Sequence, residues 1–270
     1  RLLLLDGPAV LGRAAMGEID NRHGNRSLRE GLVAAMRAQA MTRLPAEALT
    51  ALLAAAFDRA ALAIEAGASA ADAQNTALSQ IQSILGEPSD AGLNAALDKF
   101  WAAWSDLSTD PTNSAAKSVV KEAGNNVAIT LNRYASQLDQ LSANNSERMT
   151  VDVQRVNELT SHISKLNNQI ITAEAGNQSA NDLRDARDKD LDELSQLVGA
   201  QVVEHQNGSV AVYAGGRMLV DGTVLRTVQV DSGNPPTISF GNGSPPISGM
   251  GGSLGAEVAL STQTVPDVMG

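Results

Sequence analysis

The 270-residue sequence predicts an α+β chain: mainly α-helical, with a helical bundle plus long coiled-coil-like antiparallel helices, followed by a small β-rich domain. Two observations carry the helical part. Hydrophobic residues make up 43% of the chain but aromatics only 3%, so its core is built mostly from Ala, Leu, Val and Ile, which suits helices packed side by side. Between residues 27 and 170, apolar residues recur at steps of three and four, the period of one helix face. The third observation is a change of period after residue 200, where short runs are punctuated by Asn-Gly, Gly-Gly and Asp-Gly pairs.

Residues 1–74 hold eight Arg, no Lys, two Asn and twenty-one Ala, whereas all five Lys and sixteen Asn lie from residue 75 onward. That shift places a boundary near 70–76 and divides the chain into a helical segment (1–74), a helical rod (75–199) and a β-rich region (200–270). In the first, Ser27 to Met41 carries Leu28, Leu32, Val33, Met36 and Ala40 on one face. Pro45 stands where the first turn of a new helix tolerates it. Leu49, Leu52, Leu53, Ala56, Phe57, Ala60 and Ile64 then form a wide stripe, a candidate helix-packing or dimer face. A stripe this wide packs on more than one neighbour, either as internal core or across a homodimer interface.

In the rod, Leu78, Ile81, Ile84 and Leu85 open a helix that Glu87-Pro88 stops. Leu93, Leu97, Phe100, Trp101, Trp104 and Leu107 form the next face, ended by Asp110-Pro111, with Thr112 to Ser114 able to cap the next helix. Val120, Ala123, Val127, Leu131, Tyr134, Leu138 and Leu141 make one narrow seam. The polar stretch Asn144 to Glu147 interrupts it, and Val156, Leu159, Ile163, Leu166 and Ile170 resume it. Two such segments predict an antiparallel helical pair or bundle. Past residue 200, Gln201–His205 and Ser209–Tyr213 flank Asn207-Gly208, a hairpin signal. Arg217–Val220 and Val224–Val230 follow as further strands, and Gly and Pro crowd the remainder as long loops.

Composition excludes several function classes. A net charge of -10 and a pI near 4.7 oppose nucleic-acid binding, which needs clustered Lys and Arg to neutralise phosphates. The chain has no cysteine, hence no disulfide, thiol nucleophile or Cys-based zinc site. No apolar run approaches the length of a membrane span. His23, His162 and His205 lie in three different regions, and none has a second ligand at metal spacing. The charge cluster from Asn181 to Glu193 lacks the central Gly and terminal Glu of a calcium loop. Pairs such as Arg184 with Asp188 fit a solvated helix surface instead. No catalytic constellation, cofactor site or metal site is expected.

Certain blocks carry a resemblance. Gly86-Glu87-Pro88-Ser89-Asp90-Ala91-Gly92-Leu93 is followed by Ala96-Leu97-Asp98-Lys99-Phe100-Trp101 and by Asp110-Pro111-Thr112. Val156-Asn157 and Leu166-Asn167 come next, then Asn181-Asp182-Leu183, Asp185, Arg187-Asp188, Gly208–Val212 and Leu219-Val220-Asp221-Gly222. In this order they resemble the type 1 flagellar hook-associated proteins. That resemblance implies a non-enzymatic structural protein of the hook-filament junction: an exported, extracellular rod of helices with an outer β-rich domain, packed among other hook and filament subunits. It also implies that the family's inner, polymerising helices lie outside this chain, which reaches Gly270 where the last one would begin. Residues 1–74 instead resemble the carboxy-terminal half of tetracycline-repressor-type regulators, in Leu3–Gly12, Glu18-Ile19-Asp20 and Leu28–Leu32. This second resemblance implies ligand binding and dimerisation through helices like 46–65, without a DNA-binding element. The whole reads as a fusion, with a helix running across the junction near 66–85.

Overall fold

A polar stretch expected to separate two helices does not separate them. In a computed structural model of the chain, which describes residues 25–38, 45–86, 89–176, 180–241 and 243–269, Ser114–Ala175 is one helix of 62 residues. No Gly or Pro lies between Asn125 and Ala175 to stop it. The polar residue at the middle of the stretch, Asn145, is buried and hydrogen-bonded rather than part of a turn. The helices in order are α1 (Asn25–Arg37), α2 (Ala46–Leu85), α3 (Leu93–Thr109), α4 (Ser114–Ala175) and α5 (Asn181–Val198). The strands are β1 (Gln201–Glu204), β2 (Val210–Ala214), β3 (Arg217–Asp221), β4 (Val224–Leu225), β5 (Gln229–Asp231) and β6 (Thr237–Ser239). Then come α6 (Gly252–Ala259), a π-helical turn (Leu260–Thr264) and α7 (Val265–Met269). The amino-terminal residues that carry part of the regulator resemblance, His23 and the stretch 39–44 lie outside the described residues.

The chain divides into two compact units, residues 1–72 with 150–256 and residues 73–149 with 257–270. In the first unit, Val153 of α4 is buried, and so are Val156, Leu159, Ile163, Leu166 and Ile170, the predicted second seam. Its antiparallel partner is α5, whose Leu191, Leu194 and Val198 are buried too. Side-chain pairs mark the antiparallel register: Arg155 with Glu193, His162 with Asp190, and Glu174 with Arg184. So the long antiparallel pair is present, but it joins α4 to α5 rather than the two halves of α4. The sheet runs β1-β2-β3-β4, antiparallel throughout, and β5 pairs with β6. Val210, Val212, Leu219, Val220 and Ile238 of these strands are buried.

The Gly-rich segment after residue 250, expected as loop, is helical over 252–269. Its glycines serve close approach. Gly252 has φ +65°, and a Cβ there would run into the backbone of Gln196 and Leu197.

In the second unit, Asn113 starts α4 by accepting the Ala115 and Ala116 N–H groups at 2.9 and 3.1 Å. Ala77 and Ile81 of α2 form a core with Leu138 and Leu141 of α4 and with Leu260 and Val265. Tyr134 donates its hydroxyl to Leu85 O at 2.6 Å, satisfying a carbonyl at the end of α2. Ala103, Phe100 and Leu107 of α3 pack with Val120 and Ala123 of α4. Trp101 and Trp104, predicted on that same face, stay 61% and 53% exposed. Apolar residues cover more of α3 than one neighbouring helix can bury, and the tryptophans fall on the uncovered side. Leu131 of the first seam is exposed as well.

Candidate functional site

The most densely built part of the first unit is a set of polar groups on α4 and α5 that grip the backbone of the β region. A buried amide that pairs both its C=O and its NH2 with one strand acts as a fixed key, because each misplaced partner leaves an unpaired buried group. Asn167 does this for β2. Its Oδ1 accepts the Val210 N–H at 3.1 Å, and its Nδ2 donates to Val210 O and Gly222 O, both at 2.9 Å. Ten residues earlier, half-buried Asn157 repeats the pattern on the segment before β5. Its Nδ2 donates to Val228 O at 2.8 Å, and its Oδ1 accepts the Val228 N–H at 2.9 Å.

Two arginines of α5 complete the grip. Arg187 is buried and donates to Gly208 O at 2.6 Å, at the hairpin tip between β1 and β2. Burial pushes its pKa below the usual arginine value, against the opposing pull of Asp188 and Glu204. Its Nε has no hydrogen-bond partner among the described residues, and Asp188 Oδ1 lies 3.9 Å away. Arg184 grips Glu174, at the end of α4, through two bonds of 2.7 and 2.9 Å, and reaches Glu204 of β1 at 2.6 Å. The Glu174 bond is the main reason Arg184 sits above its ordinary value, and the same bond holds Glu174 below the usual carboxylate range. Gly208, at φ +80°, leaves the room this pair needs, since a Cβ there would meet Glu174 and Arg184. The charge cluster therefore reaches beyond its own helix surface. Arg184 bonds two carboxylates on other elements, one of them through the two-bond geometry that favours a guanidinium.

The second unit holds the corresponding key, Asn145. Its Nδ2 donates to Glu257 O at 2.8 Å and to Ser261 Oγ at 2.7 Å, at the start of the π-helical turn. Arg148 pairs with the buried Glu257 at 3.5 Å.

The candidate face on α2 is turned the other way from the helix's buried side. Leu62 and Ala66 are buried, whereas Ala56, Phe57, Ala60 and Ile64 are exposed, Phe57 at 62% and Ile64 at 60%. Leu49 and Leu53 are half-buried, and the side chain of Leu52 lies outside the described set. Ser195 of α5 donates to Leu62 O at 3.2 Å, placing the buried side of α2 on the end of α5. His162 and His205 each meet a carboxylate of another element: His162 Nδ1 lies 2.5 Å from Asp190, and His205 Nε2 lies 2.7 Å from Asp221. Among the described residues, no three His, Asp or Glu gather as metal ligands. None of the described helices is long and apolar enough to cross a membrane.

A family profile described as the flagellar hook-associated protein FlgK helical domain matches residues 78–270. The chain belongs to that family. All the keying groups, Asn145, Asn157, Asn167, Arg184 and Arg187, lie within the FlgK match. A second profile, the tetracyclin repressor-like C-terminal domain, matches residues 1–87, so the two overlap over the last turns of α2. Flagellar hook-associated protein 1 of Bacillus subtilis (strain 168) is 35% identical over 141 residues, covering 52% of this chain and 28% of that protein. The flagellar hook junction protein FlgK from Burkholderia pseudomallei superimposes with a TM-score of 0.61 at 26% identity. That match covers 76% of this chain and 39% of that one. The chain thus spans well under half the length of either relative.

Proposed function

We propose that the chain is a structural component of the bacterial flagellum, working outside the cell at the junction of hook and filament among their subunits, with no catalytic step. One observation carries this reading. Within the stretch related to FlgK, buried polar groups are devoted to holding helices and strands in fixed register, as in Asn167 with Val210 and Gly222. A scaffold so committed to geometry suits a part that must transmit force between neighbours. The net charge of -10 supports protein partners over nucleic acid. The test is co-sedimentation of the purified chain with isolated hooks. Saturable binding to hooks, absent with unrelated particles, is expected; binding no better to hooks than to those controls would sink the reading.

The exposed side of α2 adds a second element. Ala56, Phe57, Ala60 and Ile64 form an apolar strip on one side of the helix, suited to the same strip of a second copy. In this reading residues 1–74 are a homodimerising platform. Light scattering on the whole chain should give a dimer, and Phe57→Glu with Ile64→Glu should give a monomer. A regulator-type ligand-binding domain is the rival reading; it shares the dimer but predicts no binding to hooks.

A further inference from the structure

β1 is an end strand of its sheet, and its outer edge has a definite hydrogen-bonding pattern. His205 N–H donates to Ser209 O at 2.8 Å, so that pair is hydrogen-bonded. Alternation along an antiparallel ladder then makes Val203–Ala211 and Gln201–Tyr213 the bonded pairs. Val202 and Glu204 therefore direct their N–H and C=O groups away from β2. One contact agrees with this: Arg59 of α2 donates to Val202 O at 3.4 Å, from the side opposite β2. Among the described residues, no strand pairs with this edge.

The edge opens into a groove of about 370 Å³ between β1 and α2. Leu62, Ala63 and Ala66 form its apolar wall, Ala200 and Val203 line the strand side, and Arg59 is its cation. We propose that this groove takes an extended segment of a partner protein, added to the sheet beside β1, with a carboxylate of that segment on Arg59. The outward groups of Val202 and Glu204 stand two residues apart, the repeat of a neighbouring strand. A helix could not meet them, since its backbone groups are already paired internally. The wall of small residues leaves room for alternate side chains of the incoming strand. A second copy offering its own β1 is less suited, because it brings another Arg59 and another Glu204 to the same edge.

The probe is a fluorescein-labelled hexapeptide of alternating threonine and valine ending in aspartate, titrated by anisotropy into the full chain. Saturable binding with Kd below about 1 mM is expected. Val202→Pro removes an outward N–H without touching the β1–β2 ladder, and should weaken binding by about tenfold or more. Arg59→Ala should weaken it by about tenfold. Hydrogen exchange at Val203 and Ala211 reports whether the ladder survives in the proline variant. A hexapeptide N-methylated at the positions facing β1 makes the same test on the unaltered protein, and should not bind. No binding of the parent peptide up to about 1 mM would overturn the proposal. So would equal binding by the variants or the methylated peptide, or a concentration-dependent dimer abolished by Val202→Pro.

Discussion

The two longest helices work by different means. α4 holds its neighbours with amides: Asn145, Asn157 and Asn167 each bond backbone groups of another element. α2 buries Leu62 and Ala66 in one unit and Ala77 and Ile81 in the other, and shows its larger side chains Phe57 and Ile64 to solvent. Apolar contact is non-directional and tolerates a shifted register, whereas an amide bridging a backbone N–H and C=O fits in one place. α4 therefore specifies geometry, and α2 supplies surface.

Breaking the fully buried key should cost more than breaking a packed side chain. Asn167→Ala strands the buried N–H of Val210 and the C=O of Gly222 and leaves Val210 O only the Gly222 N–H at 3.2 Å, and should lower stability by about 4 kcal/mol in urea denaturation. A loss under about 1 kcal/mol would mean that water replaces the amide and that the comparison fails. Ile163→Ala, at a fully buried seam position, should cost about 3 kcal/mol, mostly from the cavity it leaves. Asn157→Ala, half-buried and tied only to Val228, should cost about 2 kcal/mol. On α2, Phe57→Glu with Ile64→Glu should leave the monomer's stability within about 0.5 kcal/mol while changing oligomeric state.

The smallest effect is a pH dependence. Arg184 holds Glu174 below the usual carboxylate range, and Arg155 does the same for Glu193. Stability from a lowered carboxylate pKa is fully present above the unfolded value and lost as pH falls through the folded one. Burial raises Asp190 and Asp185, so for them falling pH relieves a cost instead. Glu174→Gln should flatten the acid limb of a stability profile below about pH 4.5 and leave the neutral region little changed. An unchanged limb would remove Glu174 from the grip on the hairpin.

Sequence made the periodic parts legible. The seam Val156–Ile170 and the hairpin at Asn207-Gly208 follow from local spacing and turn chemistry, which need no knowledge of distant partners. The continuity of α4 was hidden because Asn145 looks like a surface residue until its partners at Glu257 and Ser261, more than a hundred positions away, are known. The helix over 252–269 was hidden because glycines kept for close approach look like loop. The buried side of α2 around Leu62 and Ala66 was missed because it carries one Leu among Ala there, a weaker signal than the opposite strip. As for the site, Asn157, Asn167 and Arg187 stand out within the family-like motifs, but the backbone atoms they hold become apparent only in the fold.

Asn157 and Asn167 are separated by ten residues of uninterrupted helix, a rise of about 15 Å. One added or deleted codon between them would rotate one amide relative to the other by about 100° and shift it about 1.5 Å, releasing either Val228 or Val210. Over this stretch the gene can vary in spelling but not in length. Insertions should accumulate instead in the turn between β2 and β3, which neither amide holds.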